Sequence, residues 1–170
     1  MNPLIFNATP LIYLAKAGLI EHVGKLPEKK YLPKSVYDEV VTKGKERGLS
    51  DAFRVDKLVE EGVIEIKSPS DKKFTKRLLR NQKIHLADVE VMTLARELDG
   101  IALMDDEESR GMANLEKISN HGTVYLMFRF LWKGLITKKE FVNSLNKMIR
   151  EGWRCSVELY GEIIKALNGF

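Results

Sequence analysis

The sequence of 170 residues contains a single cysteine, Cys155, and no long apolar run. A single cysteine excludes a disulfide within the chain and a cysteine zinc cage, and it agrees with a reducing compartment. No segment reaches the about 18 consecutive apolar residues that a membrane span needs. The first residues also lack the basic start and the uninterrupted apolar run of a signal peptide. We therefore expect a cytoplasmic protein that does not associate with membranes.

Internal repeats, linkers and low-complexity segments are absent as well. Apolar residues make up 44% of the chain and charged residues 31%, which is typical of a globular protein rather than a disordered one. A chain of this length buries about two-thirds of its unfolded surface, so we expect a single domain over residues 1–170. The net charge of +4 favours polyanionic partners without identifying one.

Short apolar strands alternate with helices along much of the sequence. The run Leu-Ile-Phe at 4–6 is too short for a helix, and Thr9 and Pro10 then predict an N-cap and a helical first turn. Strands are also predicted at 30–33, 63–66 and 101–104. Helices are predicted over 19–26, 51–61, 72–80, 86–98, 123–132 and 156–167, of which 123–132 is apolar nearly all round and is expected to be buried. Thr137 and Glu140 predict a capping box at the start of a further helix, and Ser156 is the predicted N-cap of the last one. Unalternating strands separated by helices indicate a parallel sheet covered on both faces, and therefore an α/β fold.

Acidic or amide side chains stand where strands end or helices begin. Asn7 follows the first strand, Asp105 and Asp106 follow the strand at 101–104, and Asp88 lies in the first turn of the helix over 86–98. In an open parallel sheet, ligands bind at the carboxyl edge of the strands. Each of these side chains alone is also explained as a helix cap or a favourable charge in a first turn.

Helix geometry predicts the direction of Asp88, but it does not distinguish between two neighbouring acids in an earlier helix. At about 100° per residue, Asp88 lies beside Met92 and Ala95 at the edge of an apolar arc, so it should point toward the sheet. In the helix that begins near Ser35, Asp38 and Glu39 lie about 60° from the apolar arc on opposite sides. The geometry leaves the choice between these two open.

The order and spacing of these segments resemble a PIN domain. The resemblance is carried by the strand at 4–6, Asn-Ala-Thr-Pro-Leu-Ile at 7–12, Val-Tyr-Asp-Glu-Val at 36–40, the acid-led helix at 86–98, and the strand that ends in Asp-Asp at 105–106. It is strongest to small prokaryotic PIN-like proteins that open with Asn/Asp-x-Ser/Thr-Pro-Leu-Ile. The resemblance implies a three-layer α/β/α fold with a small parallel sheet and extra C-terminal helices. Active PIN domains are divalent-metal ribonucleases, and some are toxins of toxin–antitoxin pairs.

The resemblance also assigns roles to individual residues. It implies that Glu39, Asp88 and Asp105 are catalytic, and that these three together with Asn7 and Asp106 bind the metal. Of the pair, Asp105 is the first choice for direct contact with the metal, and Asp106 is expected to be a helix cap or to bind the metal through water. Oxygen ligands suit Mg²⁺ or Mn²⁺, which can polarise a phosphodiester and activate water. Asn7 departs from the family's acidic pattern, and one negative charge fewer should weaken binding of a hard cation.

Two further features concern His85 and a basic run. His85 lies three residues before Asp88, where it is either a metal ligand or an ordinary loop residue. If residues 72–83 are helical, their basic side chains lie on one arc about 140° wide, which is either a solvated face or a phosphate-binding one. The members of this basic run are Lys72, Lys73, Lys76, Arg77, Arg80 and Lys83. Arg110, one turn past the acidic pair, is also placed to meet a phosphate. The predicted RNA contacts are Lys72, Lys73, Lys76, Arg77, Arg80 and Arg110.

Partners and alternatives follow from the same resemblance. It implies RNA as the substrate, an antitoxin protein as a partner and a homodimer as the assembly. The alternative is a catalytically weak PIN-fold module that binds nucleic acid or a protein partner. A receiver-domain fold also places acids at strand ends, but here the first strand ends on a lone Asn and the paired Asp follows a late strand.

Overall fold

The computed structural model describes all residues from Met1 to Phe170. Five strands form one sheet in which every neighbouring pair is parallel, in the order β3-β2-β1-β4-β5. The strands are β1 (Leu4–Phe6), β2 (Lys30–Leu32), β3 (Glu65–Ile66), β4 (Ile101–Leu103) and β5 (Asn120–His121). Because all five run in the same direction, their carboxyl ends lie along one edge, with β1 at the centre.

Helices flank the sheet and complete the three-layer α/β/α architecture that the sequence predicted. They are α1 (Ala8–Lys16), α2 (Lys34–Tyr37), α3 (Lys43–Glu46), α4 (Ser50–Glu60), α5 (Lys72–Leu78), α6 (Leu86–Glu97), α7 (Glu107–Leu115), α8 (Thr123–Trp132), α9 (Lys138–Arg150) and α10 (Val157–Asn168). A 3₁₀ helix covers Ile20–Lys25, and a π-helical segment, Asp38–Thr42, joins α2 to α3. No helix combines the length and the hydropathy that crossing a bilayer would require.

The core surrounds the central strand. Leu4, Ile5 and Phe6 are fully buried, and the buried apolar side chains form one cluster of 42 residues. A strand covered on both faces has no polar face, which explains why β1 is apolar at every position. The same burial fixes the positions of the residues that follow β1 and β4 at the edge of the sheet.

The first helix begins earlier than Thr9 and Pro10 predict. Its N-cap is Asn7, which has an extended backbone and accepts a hydrogen bond on Oδ1 from the Ala8 N–H at 2.8 Å. Pro10 lies in the first turn, where a missing N–H costs no helical hydrogen bond. The prediction of an N-cap at Thr9 was therefore wrong, and the cap is the residue that the sequence marked for the site.

Two other expectations need correction, and one strand was not predicted. The strand predicted over 63–66 is limited to its last two residues, and β5 was not foreseen because its two residues, Asn120 and His121, are polar. Helix α8 is only partly buried, since Leu126 and Phe130 are enclosed while Trp132 is 58% exposed. By contrast, the helix termini that capping patterns predicted at Thr137 and Ser156 are present.

The buried carboxylate of Asp56 connects α4 to the residues on either side of the π-helical segment. Asp56 in α4 accepts a hydrogen bond from the Tyr37 hydroxyl at 2.8 Å and pairs with the Lys45 ammonium. Burial raises the pKa of Asp56, whereas the hydrogen bonds from Lys45 and Tyr37 lower it. The net pKa lies below the usual value for an aspartate. One ionised side chain thus connects α4 to both ends of the segment that contains Glu39.

Candidate active site

The carboxyl ends of β1 and β4 bring two predicted site residues to neighbouring positions. The backbone N–H of Asn7 donates to the carbonyl of Leu103 at 2.9 Å, which extends the pairing of the two strands by one residue. Asp105 follows two residues after Leu103. Asn7 and Asp105 therefore lie at adjacent strand ends, as expected for a ligand site in a parallel sheet.

Asn7 and Asp88 are in direct contact although 81 positions separate them in the chain. The Asn7 Nδ2 donates to Asp88 Oδ1 at 2.7 Å, and Asp88 Oδ2 accepts from the His85 backbone N–H at 3.0 Å. Asn7 is only 6% exposed. Asp88 thus points toward the sheet, as its place on the helix predicted. Because an amide N–H faces the carboxylate, the contact is attractive, whereas two carboxylates at this distance would repel each other.

Three protein donors hold the carboxylate of Asp105. Thr123 donates its backbone N–H to Oδ1 at 2.7 Å and its hydroxyl to Oδ2 at 2.6 Å, and Trp153 donates its indole N–H to Oδ2 at 3.2 Å. Gly122 leaves room for this arrangement, because a Cβ there would lie 2.7 Å from Asp105 Oδ1. Sequence reasoning missed the role of Trp153, since no local pattern connects it to a residue 48 positions away.

Asp106 is the N-cap of α7. Its Oδ2 accepts hydrogen bonds from the backbone N–H and the hydroxyl of Ser109, both at 2.9 Å. The side chain thus satisfies a free backbone donor in the first helical turn. This is the capping role that the sequence favoured for the second aspartate of the pair.

Glu39 and Asp38 differ in their surroundings. Asp38 pairs with the Lys34 ammonium and accepts from the Thr42 hydroxyl at 3.3 Å, so its carboxylate is engaged within its own helix. Glu39 is exposed, and its carboxylate makes no hydrogen bond or ion pair with Asn7, Asp88, Asp105 or any other residue. Of the two acids that helix geometry left open, Glu39 is therefore the one whose carboxylate is free. His85 is exposed at the N-cap of α6.

The donors at the sheet edge fit a hard cation only if it keeps much of its own water. No three Asp, Glu, His or Cys side chains converge in an arrangement that could hold a metal ion. The edge nevertheless supplies hard oxygen donors, the carboxylates of Asp88 and Asp105 and the amide oxygen of Asn7. Mg²⁺ sites commonly use one or two carboxylates and complete the coordination with water and substrate phosphate. In donor chemistry, the residues present fit such an ion.

Most of the predicted RNA-binding residues share one groove beside α5. Arg77 pairs with both carboxylate oxygens of Glu116, at 2.8 and 2.9 Å, and the guanidinium of Arg96 lies 4.1 Å from the ring centre of Phe74. The groove has a volume of about 490 Å³. It is lined by Asp71, Lys73, Phe74, Lys76, Arg77, Arg80 and Arg96, while Lys72 lies outside and Arg110 lies on α7 near Asp105. The predicted contacts thus belong to two separate surfaces.

A parallel sheet between helices, with carboxylates at its carboxyl edge, is shared by several α/β folds. The DUF3368 family model, described as a PIN domain, matches residues 3–169. The chain therefore belongs to the PIN domain superfamily, which confirms the family that the motifs indicated. No curated protein matches the sequence at a significant level.

Proposed function

We propose that this PIN domain is a divalent-metal-dependent ribonuclease that hydrolyses phosphodiester bonds of RNA. The observation that supports it most directly is the contact between Asn7 and Asp88 beside the end of β4. That contact joins the first strand to the acid-led helix at the edge where ligands bind in parallel sheets. PIN domains are nucleases that generally use divalent metals, and Mg²⁺ or Mn²⁺ is the proposed ion here.

The side chains at the edge have distinct proposed roles. Asp88, Asp105 and the amide oxygen of Asn7 would hold the ion, and the Asn7 Nδ2 also orients Asp88. A bound divalent cation supplies positive charge that polarises the phosphodiester and lowers the pKa of a water molecule. Glu39, exposed and unpaired, is the carboxylate available to accept a proton or to add a ligand. Thr123 and Trp153 fix the orientation of Asp105.

A direct test is cleavage of a labelled single-stranded RNA. With Mn²⁺ or Mg²⁺ the purified protein is expected to cut the RNA, and with excess EDTA it is expected to leave the RNA intact. The reaction is followed on a denaturing gel, which separates endonucleolytic fragments from stepwise trimming. Cutting at the same rate in EDTA would contradict a metal-dependent mechanism.

The uncharged Asn7 provides a second prediction. Replacing Asn7 with aspartate is expected to tighten Mn²⁺ binding by about tenfold, because the site gains one negative charge. Repulsion between the introduced carboxylate and Asp88, which replaces the present hydrogen bond, would also favour a bound cation. The dissociation constant is measured by isothermal titration calorimetry. Asn168→Asp, an exposed change at the end of α10, adds the same charge as a control, and equal affinities of the two variants would count against Asn7 as part of the metal site.

One observation favours a second candidate, a catalytically weak module that binds nucleic acid or a protein partner. Both oxygens of Asp105 are occupied by donors of the protein itself, and no three acidic side chains converge. This candidate predicts salt-sensitive RNA binding without cleavage under any metal condition. As the toxin of a toxin–antitoxin pair, the protein would bind an antitoxin encoded beside it, which co-expression and co-purification would test. Its proposed homodimer is tested by its mass in solution.

A further inference from the structure

A cavity of about 560 Å³ opens at the carboxyl edge beside Asp105. Its walls come from the first turns of α1, from the ends of β4 and β5, from the start of α8 and from the connection between α9 and α10. Asp105 and Asp106 line it, whereas Asn7, Glu39 and Asp88 do not. The cavity therefore adjoins the proposed active site and shares one carboxylate with it, without being part of the same cluster.

Two guanidinium groups supply positive charge without a carboxylate partner in this cavity. Arg110 donates from Nε to the Asn120 side chain at 3.1 Å, which leaves its other nitrogens free. Arg154 is exposed and makes no hydrogen bond or ion pair. Both acidic side chains of the lining already accept from protein donors, Asp105 from three and Asp106 from two. A planar guanidinium binds phosphate oxygens in a bidentate manner.

Flat aromatic surfaces form the other part of the wall. His121 and Tyr125 stack with their ring centres 4.0 Å apart and 11° between their planes. Burial, and then the charge of Arg110, lower the pKa of His121, so this imidazole is neutral at pH 7. Tyr13 and the indole of Trp153 line the same space. Aromatic faces next to guanidinium groups are the surfaces on which unpaired nucleobases stack in RNA-binding proteins.

From this combination we infer that the cavity binds one nucleotide of a single-stranded RNA. Arg110 and Arg154 bind the phosphate, and the base lies against the aromatic wall that includes Tyr13 and Tyr125. The volume is within the range of about 300 to 1,000 Å³ that small-molecule sites occupy. A site for phosphate alone would not need the aromatic wall. This inference rests on the proposed function, since it places part of the RNA substrate next to Asp105.

The test uses Trp153 as a reporter within the cavity. The protein has two tryptophans, so Trp132→Phe leaves Trp153 as the only source of indole fluorescence. This variant is titrated in EDTA with a mixed-sequence RNA of five nucleotides, with adenosine 5′-monophosphate and with inorganic phosphate. A saturable change with both the RNA and the mononucleotide, and none with phosphate at equal concentration, is expected. No change with any probe, or the same change with phosphate as with the mononucleotide, would overturn the inference.

Variants that each remove one positive charge test which side chains contribute to RNA binding. In the same background, Arg154→Gln and Arg110→Gln are each expected to weaken binding of the five-nucleotide RNA by about tenfold, the effect of losing a charge-assisted hydrogen bond. Arg154 makes no contact that its loss could disrupt, so its variant should fold normally. Lys133→Gln, an exposed change at the end of α8, removes the same charge and is expected to change the affinity less than about twofold. An equal loss in this control would contradict a specific site.

The binding test and the cleavage test can fail separately. Because the titration is performed in EDTA, RNA binding in the cavity is measured without any cleavage. Binding that depends on Arg154 in a protein that never cuts RNA would retain the nucleotide site and reject the ribonuclease. Metal-dependent cutting by Arg110→Gln and Arg154→Gln at unchanged KM, with no fluorescence response, would retain the ribonuclease and reject the nucleotide site.

Discussion

Asp88→Asn is expected to lower the rate of metal-dependent RNA cleavage by about 100-fold or more, the scale of losing a group that stabilises charge in a transition state. The substitution removes a full negative charge from the carboxylate that contacts Asn7. A single amide oxygen can no longer accept from both Asn7 and the His85 backbone, so a stability loss of about 1 kcal/mol accompanies it. Initial rates with Mn²⁺ and unfolding in urea measure the two effects.

Glu90→Gln is the matched control for this prediction. Glu90 lies on the same helix two residues away, is half-buried, and makes no hydrogen bond or ion pair. Its variant should cleave RNA at nearly the rate of the unmodified protein. Cleavage that survives Asp88→Asn would mean that the activity belongs to a contaminant or to a different site.

Asp105→Ala is expected to lower the free energy of unfolding by about 2 to 4 kcal/mol and to abolish cleavage. The change leaves the N–H and hydroxyl of Thr123 and the buried indole N–H of Trp153 without their acceptor. Hydrogen bonds to an ionised group contribute about 1.5 to 3 kcal/mol each, and the half-exposed position of Asp105 allows water to replace part of that. The connection between α9 and α10, which contains Trp153, should lose its attachment to the sheet edge.

Trp153→Phe separates the two effects of Asp105. It removes one hydrogen bond and part of a buried ring but keeps the carboxylate and its Thr123 donors, so the expected loss of stability is about 1 to 2 kcal/mol and cleavage should persist at a reduced rate. Urea unfolding and the cleavage assay are performed on both variants. If the Asp105→Ala variant were as stable as the Trp153→Phe variant, the Asp105 carboxylate would not be what attaches the connection between α9 and α10 to the sheet edge.

The sequence predicted those parts of the fold that local patterns determine. The apolar run of β1, the helix from Thr123 and the caps at Thr137 and Ser156 depend on a few adjacent residues, and all are present. Strand β5 has two polar residues and no pattern of its own. It is a strand only because β4 is beside it, and tertiary context of this kind is not visible in a local window.

The candidate site shows the same division between local and distant causes. The ends of predicted strands indicated Asn7 and Asp105, and helix geometry predicted that Asp88 points toward the sheet. All three predictions depend only on neighbours in the chain. Helix geometry left the choice between Asp38 and Glu39 open, because both lie about 60° from the apolar arc. The π-helical segment, in which the Lys43 N–H bonds to the Asp38 carbonyl, also departs from the α-helical count on which that geometry depends. The role of Trp153 depends on how α9 and α10 return to the sheet, which only the whole fold determines.

The amide at position 7 also affects how the protein reaches its folded state. A cluster made entirely of carboxylates is held together by the cation it encloses, and such a protein gains part of its stability from metal supply. Here the side chain of Asn7 caps one helix and donates to the acid of another, so these two contacts of the edge are made between protein groups and need no bridging cation. We therefore expect folding of this protein to depend less on the supply of magnesium or manganese than folding of a protein whose edge consists of carboxylates alone.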